Sequence, residues 1–381
     1  MSPALLCRNA GELRRSRQSL HVSVLPAIIR PVARERIISQ QSIGCDEDAF
    51  NLSLRPQRLD EVIGQRALIE QLRIALEASK ARSEPMDHVL LAGPPGLGKT
   101  TFAHVIANEL GATIRITSGP AISKPGDLMH WLTEMKRGDV LFIDEIHRLS
   151  KPVEEFLYSA MEDFRVDFTI DSGISGRTVN IPLKPFTLIG ATTRSGLLTG
   201  ALRDRFGMLF HFDFYQKEDL AEILARSAGK LRVPAEAAAL ATIAGRSRGT
   251  PRVANRLLKR TRDFAQVRAE GRLTPGVVDK ALDLQGIDKL GLDDLDRAFL
   301  STLIQVYRGG PAGIEALAAT LGQERDTLED VVEPYLLQIG FVIRTKQGRV
   351  ATQAGYGHLG TPYAAPGQPV SEAQGQLFDE S

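Results

Sequence analysis

The sequence is poor in the features that would tie it to an oxidising compartment, a metal cluster or a bilayer. Its 381 residues include two cysteines, Cys7 and Cys45. Two thiols make neither a disulfide framework nor a metal-ligand set, so a reducing cytoplasm is the expected location. No run of about 18 apolar residues occurs, and nothing in the chain reads as a membrane-spanning helix. Net charge is nearly absent at +1, so bulk charge argues neither for nor against nucleic acid, and local clusters have to decide. The first 45 residues are poor in acid: they hold Arg8, Arg14, Arg15, Arg17, Arg30, Arg34 and Arg36 against only Glu12 and Glu35. Such an N-terminus can be an organelle transit peptide, but a disordered extension is the plainer expectation, and residues 1–50 are left out of the fold. The tail, 361–381, has no basic residue and is rich in Pro, Gly and Gln, a composition expected to be disordered.

What the chain does have is a strand, a glycine loop and a helix start in direct succession. His88-Val-Leu-Leu-Ala92 reads as a short buried strand. Gly93-Pro-Pro-Gly96-Leu-Gly98-Lys99-Thr100 fits G-x-x-x-x-G-K-[ST] and runs into an apolar-periodic helix, Thr101 to Leu110. A glycine-rich turn can match this pattern by chance, but the flanking strand and helix supply the context in which it works as a phosphate loop. Glycines let backbone N–H groups converge on an anion with no Cβ in the way. The positive end of the helix dipole faces the same point. A nucleoside triphosphate then lies against Gly96 and Gly98, with Lys99 on its β/γ-phosphates, Thr100 on Mg²⁺ and Thr101 as a further phosphate contact.

Downstream, Thr113-Ile-Arg-Ile-Thr117 reads as a β-branched strand. Asp139-Val-Leu-Phe-Ile-Asp144-Glu145 is an apolar run ending in two acids, which suits a parallel strand covered on both faces. Its acids fall at the carboxyl edge where α/β sheets bind ligands. Asp144 can hold the Mg²⁺ shell and Glu145 can polarise an attacking water; the same dipeptide can also be a helix cap. His147 has no second His or Cys at ligand spacing and reads as a structural neighbour. Val166–Ile170 and Thr178–Ile181 alternate like a hairpin, either scaffold or docking surface. Phe186–Arg194 is another buried strand, ending in Thr192 and Thr193. Leu202-Arg-Asp-Arg205-Phe-Gly207 then ends a short helix before a fifth strand, Leu209–Asp213. Its arginines are either solvated surface or a finger reaching the phosphates of a neighbouring subunit.

From Lys217 to about Leu284 the pattern is wholly helical, with faces Leu220/Ile223/Leu224 and Leu240/Ile243/Ala244. Thr250 and Pro251 suit the N-cap and N1 positions of a further helix. Arg252 in its first turn opposes the helix dipole, a placement that an anion to contact would explain. Beyond Leu290, helices over Leu292–Tyr307, Gly313–Leu321 and Thr327–Ile339 precede two strands paired across Lys346-Gln347-Gly348. That is the order of a winged helix. Arg344, Lys346 and Arg349 cluster on its ribbon with no acid among them, a footprint for DNA phosphates, although winged helices also bind proteins.

Taken in order and at these spacings, Gly93–Thr101, Asp139–Leu149, Phe186–Arg194, Leu202–Gly207, Gly249–Arg256 and Glu333-Pro-Tyr-Leu336 make residues 52–360 closely resemble the RuvB family of bacterial Holliday junction branch-migration motors, within the AAA+ ATPases. The resemblance implies an α/β P-loop core with a parallel sheet (51–214), a helical lid (215–288) and a winged-helix unit (289–360). It implies an ATP- and Mg²⁺-dependent translocase that forms hexameric rings on duplex DNA and drives Holliday junction migration in recombination and repair. Laid onto these positions, Lys99 and Thr100 are Walker A residues, Asp144 and Glu145 the Walker B pair, and Thr193 the first sensor. Arg205 is the trans finger and Arg252 the second sensor. Leu54 and Arg55 lie near the adenine, with Ile63, while Tyr215 and Glu162-Asp163-Phe164 are further nucleotide contacts. Arg344 and Arg349 are wing contacts to DNA. The hairpin 166–181 would grip RuvA, and the RuvC resolvase acts in the same complex. Gln374-Gly-Gln-Leu377-Phe378 is similar to peptides that dock on sliding clamps. Two rivals remain at this point: a clamp-loader-like ATPase, whose Ser-Arg-Cys finger context is absent, and an ATP switch acting in transcription through its winged helix.

Overall fold

The computed structural model describes residues 53–169 and 178–363, all within one compact unit, Glu35–Ser381. The expectations for residues 1–50, for the hairpin tip and for the clamp-like peptide at 374–378 lie outside the described residues.

Five parallel strands form the central sheet: β1 (Val89–Ala92), β2 (Ile114–Ser118), β3 (Val140–Asp144), β6 (Thr187–Thr192) and β7 (Met208–His211), in the order β2-β3-β6-β1-β7. β1 and β6 are buried along their whole length, because helices cover both faces and leave no position for a polar side chain to reach water. Alternation then sorts side chains between two cores. Val89, Leu91, Val140, Phe142 and Ile189 join one with Leu72, Phe102 and Ile106. Leu90, Leu141, Ile143 and Leu188 join the other with Leu157, Phe186 and Leu202. Gly190 sits mid-strand because a Cβ there would come 2.9 Å from Ile146 Cδ1 and 3.0 Å from Phe206 Cζ. The helices are α1 (Arg66–Arg82), α2 (Lys99–Leu110), α3 (Pro125–Glu134), α4 (Lys151–Glu162) and α5 (Gly200–Arg203). Between α4 and β6, β4 (Arg165–Thr169) and β5 (Thr178–Pro182) pair antiparallel as a separate hairpin.

Four helices follow: α6 (Lys217–Lys230), α7 (Ala237–Gly245), α8 (Pro251–Arg268) and α9 (Pro275–Leu284). They share one core that holds the expected Leu220, Ile223, Leu224, Leu240, Ile243 and Ala244. Thr250 does occupy the N-cap of α8, but its hydroxyl does not cap it. It donates backwards to the Ser247 carbonyl at 3.3 Å.

The last unit has its own core around Phe299, Leu317, Leu336 and Val342. It contains α10 (Asp294–Gln305), α11 (Ile314–Leu321), α12 (Arg325–Thr327), a π turn (Leu328–Val332), α13 (Glu333–Gln338), the ribbon β8 (Val342–Thr345) and β9 (Gly348–Ala351), and α14 (Gln353–His358). A single helix was expected where α12, the π turn and α13 stand. Pro334 supplies no N–H for the Asp330 carbonyl, and the widened turn, closed by Glu333 N–H to the Leu328 carbonyl, accommodates that loss. The ribbon turn is one residue shorter than expected. Gly348 opens β9 at φ 143°, where a Cβ would stand 2.4 Å from the Ala312 carbonyl oxygen. Among the described residues no helix is long and apolar enough to cross a membrane.

Candidate nucleotide site

Because the sheet is parallel, the ends of β1, β3 and β6 come together at one edge. The loop leaving β1 turns through Gly93 (φ 144°), Gly96 (φ 80°) and Gly98 (φ 101°), and a Cβ on Gly93 would lie 2.7 Å from the Phe212 carbonyl oxygen. Helix α2 starts at Lys99, with Gly98 at its N-cap and no side chain to satisfy the first N–H groups. Those donors therefore stay available for an anion. Lys99 is buried, and its Nζ donates to the carbonyls of Gly93 (2.7 Å) and Pro94 (2.8 Å). Burial lowers its pKa, nearby Asp144 opposes that, and Arg252 adds to it, leaving the ammonium at about 8. A charge so poorly solvated gains by meeting a polyanion.

A cavity of about 670 Å³ opens beside this loop. From the loop it is lined by Gly96, Gly98, Lys99, Thr100 and Thr101, and from the strand ends by Asp144, Glu145 and Thr193. Leu54, Arg55 and Ile63 line it from the segment before α1, and Tyr215 and Arg252 from the lid. Tyr215 is anchored by its own N–H to the Gly249 carbonyl at 2.9 Å, and burial raises its phenol pKa. The backbone of Arg252 reaches the Gly96 carbonyl at 3.4 Å, so the start of α8 touches the phosphate loop directly. Glu145 takes a left-handed backbone, φ 48°, and its carboxylate pairs with Arg148 at 3.0 Å. Thr192 accepts from Arg194 N–H at 3.0 Å and lies 3.1 Å from His147 Nδ1. His147, kept below its ordinary pKa chiefly by burial, thus braces the end of β6. The donor set suits a magnesium triphosphate: a hydroxyl and a carboxylate for a hard cation, and a ring of N–H groups and one desolvated ammonium for phosphates.

Four of the expected nucleotide contacts, Glu162, Asp163, Phe164 and Arg205, do not line this cavity. They lie together elsewhere. The Arg205 guanidinium stacks 4.2 Å over the Tyr158 ring and pairs with Glu162 at 3.1 Å, while its Nε is buried without a hydrogen-bond partner. His88 braces this corner through Met161, its Nε2 lying 3.1 Å from that carbonyl, while its Nδ1 accepts from Leu188 N–H at 2.9 Å.

On the ribbon, the absence of acids holds along the chain but not in space. Glu333, fully buried on α13, pairs with Arg344 at 2.6 Å and with Arg349 at 2.8 Å. Arg349 keeps only 11 % of its side chain exposed against 50 % for Arg344, and Lys346 stands exposed at the turn. Burial would raise the Glu333 pKa, but hydrogen bonds from Arg349 and Arg344 outweigh it and hold the carboxyl below its ordinary range. Glu333→Gln is therefore expected to destabilise the ribbon by about 2 kcal/mol, since it removes the close charged acceptor and leaves Arg349 and Arg344 only the more distant Glu329, at 3.7 and 4.0 Å. Faster hydrogen exchange of the β8 and β9 amides checks this. Because the folded pKa is depressed, the wild-type contribution is complete above about pH 4.3 and is lost as pH falls through the folded value.

Three family models match the chain in sequence: a Holliday junction DNA helicase RuvB P-loop domain over residues 54–212, a RuvB AAA lid domain over 215–288, and a RuvB C-terminal winged helix domain over 289–360. The chain belongs to the RuvB family. It is 55 % identical over 326 residues to the Holliday junction branch migration complex subunit RuvB of Kosmotoga olearia, covering 86 % of this chain and 95 % of that protein. Its Parafrankia sp. counterpart is 54 % identical over 335 residues, covering 88 % and 95 %. The Thermotoga maritima RuvB Holliday junction branch migration motor superposes with a TM-score of 0.75 at 53 % identity, covering 82 % of this chain and all of that one. Asp326 and Asp330, which line this RuvB-family cavity from the winged-helix unit, are among the residues that the sequence does not point to. No periodicity places a π-turn carboxylate against a loop more than a hundred residues earlier.

Proposed function

We propose that this chain is the ATP-hydrolysing motor subunit of a hexameric ring that pumps duplex DNA through a Holliday junction, together with RuvA and in a complex that RuvC enters. The observation that carries the reading is the division of the site. The phosphate loop, the Asp144–Glu145 pair and Thr193 share one cavity, whereas Arg205 and Glu162 pair with each other outside it. A complete hydrolytic centre then needs a second copy of the chain.

Within one cavity, the loop N–H groups and Lys99 hold the phosphates, with Thr101 as a further contact, and Leu54, Arg55 and Tyr215 flank the base. Thr100 and Asp144 would hold Mg²⁺, which when bound neutralises charge on the phosphates. Glu145, released from Arg148, polarises the attacking water, and Thr193 orients it. Arg205 of the adjacent subunit stabilises the charge that develops on the transferred phosphate. Arg252 passes the loss of that charge to the lid, which rotates as a rigid body. Arg344, Lys346 and Arg349 touch DNA phosphates rather than bases, which suits tracking along any sequence. Arg349 would do so only through the little surface that Glu333 leaves it. The hairpin β4–β5, exposed at Val179, docks RuvA, and the working compartment is the bacterial cytoplasm. ATPase measured with linear duplex, with a four-way junction, and with junction plus RuvA tests the whole reading. Turnover should rise at each addition, whereas steady binding of one DNA sequence without ATP consumption would overturn it.

A further inference from the structure

Two of the ties between the winged-helix unit and the rest of the chain differ in kind. The first is sealed. Arg248, just before α8, is fully buried, donates to the Gly291 carbonyl at 2.9 Å, pairs with the equally buried Asp296, and lies 4.8 Å from the Tyr335 ring centroid. Separating such a pair strands a charge in dry protein, so the lid and the winged helix move together.

The second tie is open and stands on the nucleotide cavity. Arg194 follows Thr193 at the end of β6, and its guanidinium pairs with Asp330, their side chains 37 % and 33 % exposed. Asp330 and Asp326 line the same cavity as Lys99 and Thr193. The main chain of Arg194 is held to the strand by Thr192, so its side chain alone carries the link. Asp330 belongs to the π turn, where Pro334 leaves its carbonyl without the usual helical partner. One tie therefore locks the winged helix to the lid, while the other joins the winged helix to the sheet edge through a contact that water already reaches.

We propose that Arg194–Asp330 is a latch that a nucleoside triphosphate weakens and a diphosphate leaves closed, which makes Asp330 a positioning residue of the nucleotide site, acting through Arg194. The proposal rests on the reading of the cavity as an ATP site. A terminal phosphate brings negative charge to a cavity that already presents Asp326 and Asp330, and it offers Arg194 an anion as good as a carboxylate. Both effects favour the open latch. A ligand shifts such an equilibrium only by its unequal affinity for the two states, and here the inequality resides in the terminal phosphate.

The test compares ATPγS and ADP binding to the full chain by calorimetry. Asp330→Asn, with the latch already weakened, should bind ATPγS about tenfold more tightly while its ADP affinity moves less than about twofold. Asp330→Glu should keep the wild-type ratio. Equal changes for both nucleotides, or none, overturn the latch. Should the Asn variant fold poorly, hydrogen exchange on wild-type protein decides: amides of residues 326–338 should exchange faster with ATPγS than with ADP, and identical protection overturns the proposal. If neither nucleotide binds the wild type, the ATP reading itself fails and the latch falls with it.

Discussion

Lys99→Met is expected to abolish ATP turnover and junction migration, a loss of at least about a hundredfold to a thousandfold, while relieving the fold of a poorly solvated charge. The wild-type ammonium is held at about 8 by burial, so it carries an unfavourable charge in the empty fold. Methionine removes that charge and keeps the aliphatic packing. It also leaves the Gly93 and Pro94 carbonyls without their donor, but the loop is half-buried and water can reach them. The pH dependence separates the two contributions. In the unfolded chain the lysine titrates near 10.4, so between about pH 8 and 10.4 the unfolded state binds more protons than the folded one. Wild-type stability should therefore rise with pH across that window relative to Lys99→Met, by on the order of 1–3 kcal/mol, whereas the carbonyl cost does not depend on pH. Urea unfolding of both proteins at pH 7 and pH 10 measures it. Parallel curves would mean that Lys99 is not desolvated as described.

Arg205→Ala should retain nucleotide affinity and lose about a thousandfold or more in turnover, because its guanidinium lies outside the cavity of its own chain. The sharper experiment mixes variants. A Lys99→Met subunit still presents Arg205, and an Arg205→Ala subunit still presents a whole phosphate loop. Mixed assemblies should regain part of the ATPase that neither variant shows alone. An active monomeric Arg205→Ala protein, or an inert mixture of variants that do co-assemble, would remove the trans assignment.

The parts of this molecule that were legible in its sequence are those in which one short segment contains its own explanation. The strand, glycine loop and helix around Lys99 are contiguous, so spacing alone brings the backbone donors together. The strands that end at Asp144 and Thr192 announce themselves as apolar runs, because a doubly covered parallel sheet permits little else. Unreadable were the contacts that a helix face or a long return of the chain creates. Glu333 lies on a helix that looks ordinary in sequence, yet it folds under both ribbon arginines and changes how much charge the wing presents. Asp330 meets Arg194 only because the winged helix packs back onto the catalytic edge. Thr250 occupies the N-cap that its residue type suggested, but its hydroxyl turns the other way because the Ser247 carbonyl is within reach. The grouping of Arg205 with Glu162, apart from the phosphate loop, likewise needed coordinates, since neither residue's neighbours in sequence say which cavity it faces.

The buried Arg248–Asp296 pair restricts how chains of this family could be recombined. A hybrid spliced between residues 288 and 289 takes its guanidinium from one parent and its counterion from the other. Any graft at that seam must bring an acid to position 296 or insert a charge into a joint with no exposed surface. Shuffling a new DNA-facing unit onto this motor is thus better done by exchanging everything from the start of the lid onward as a single cassette.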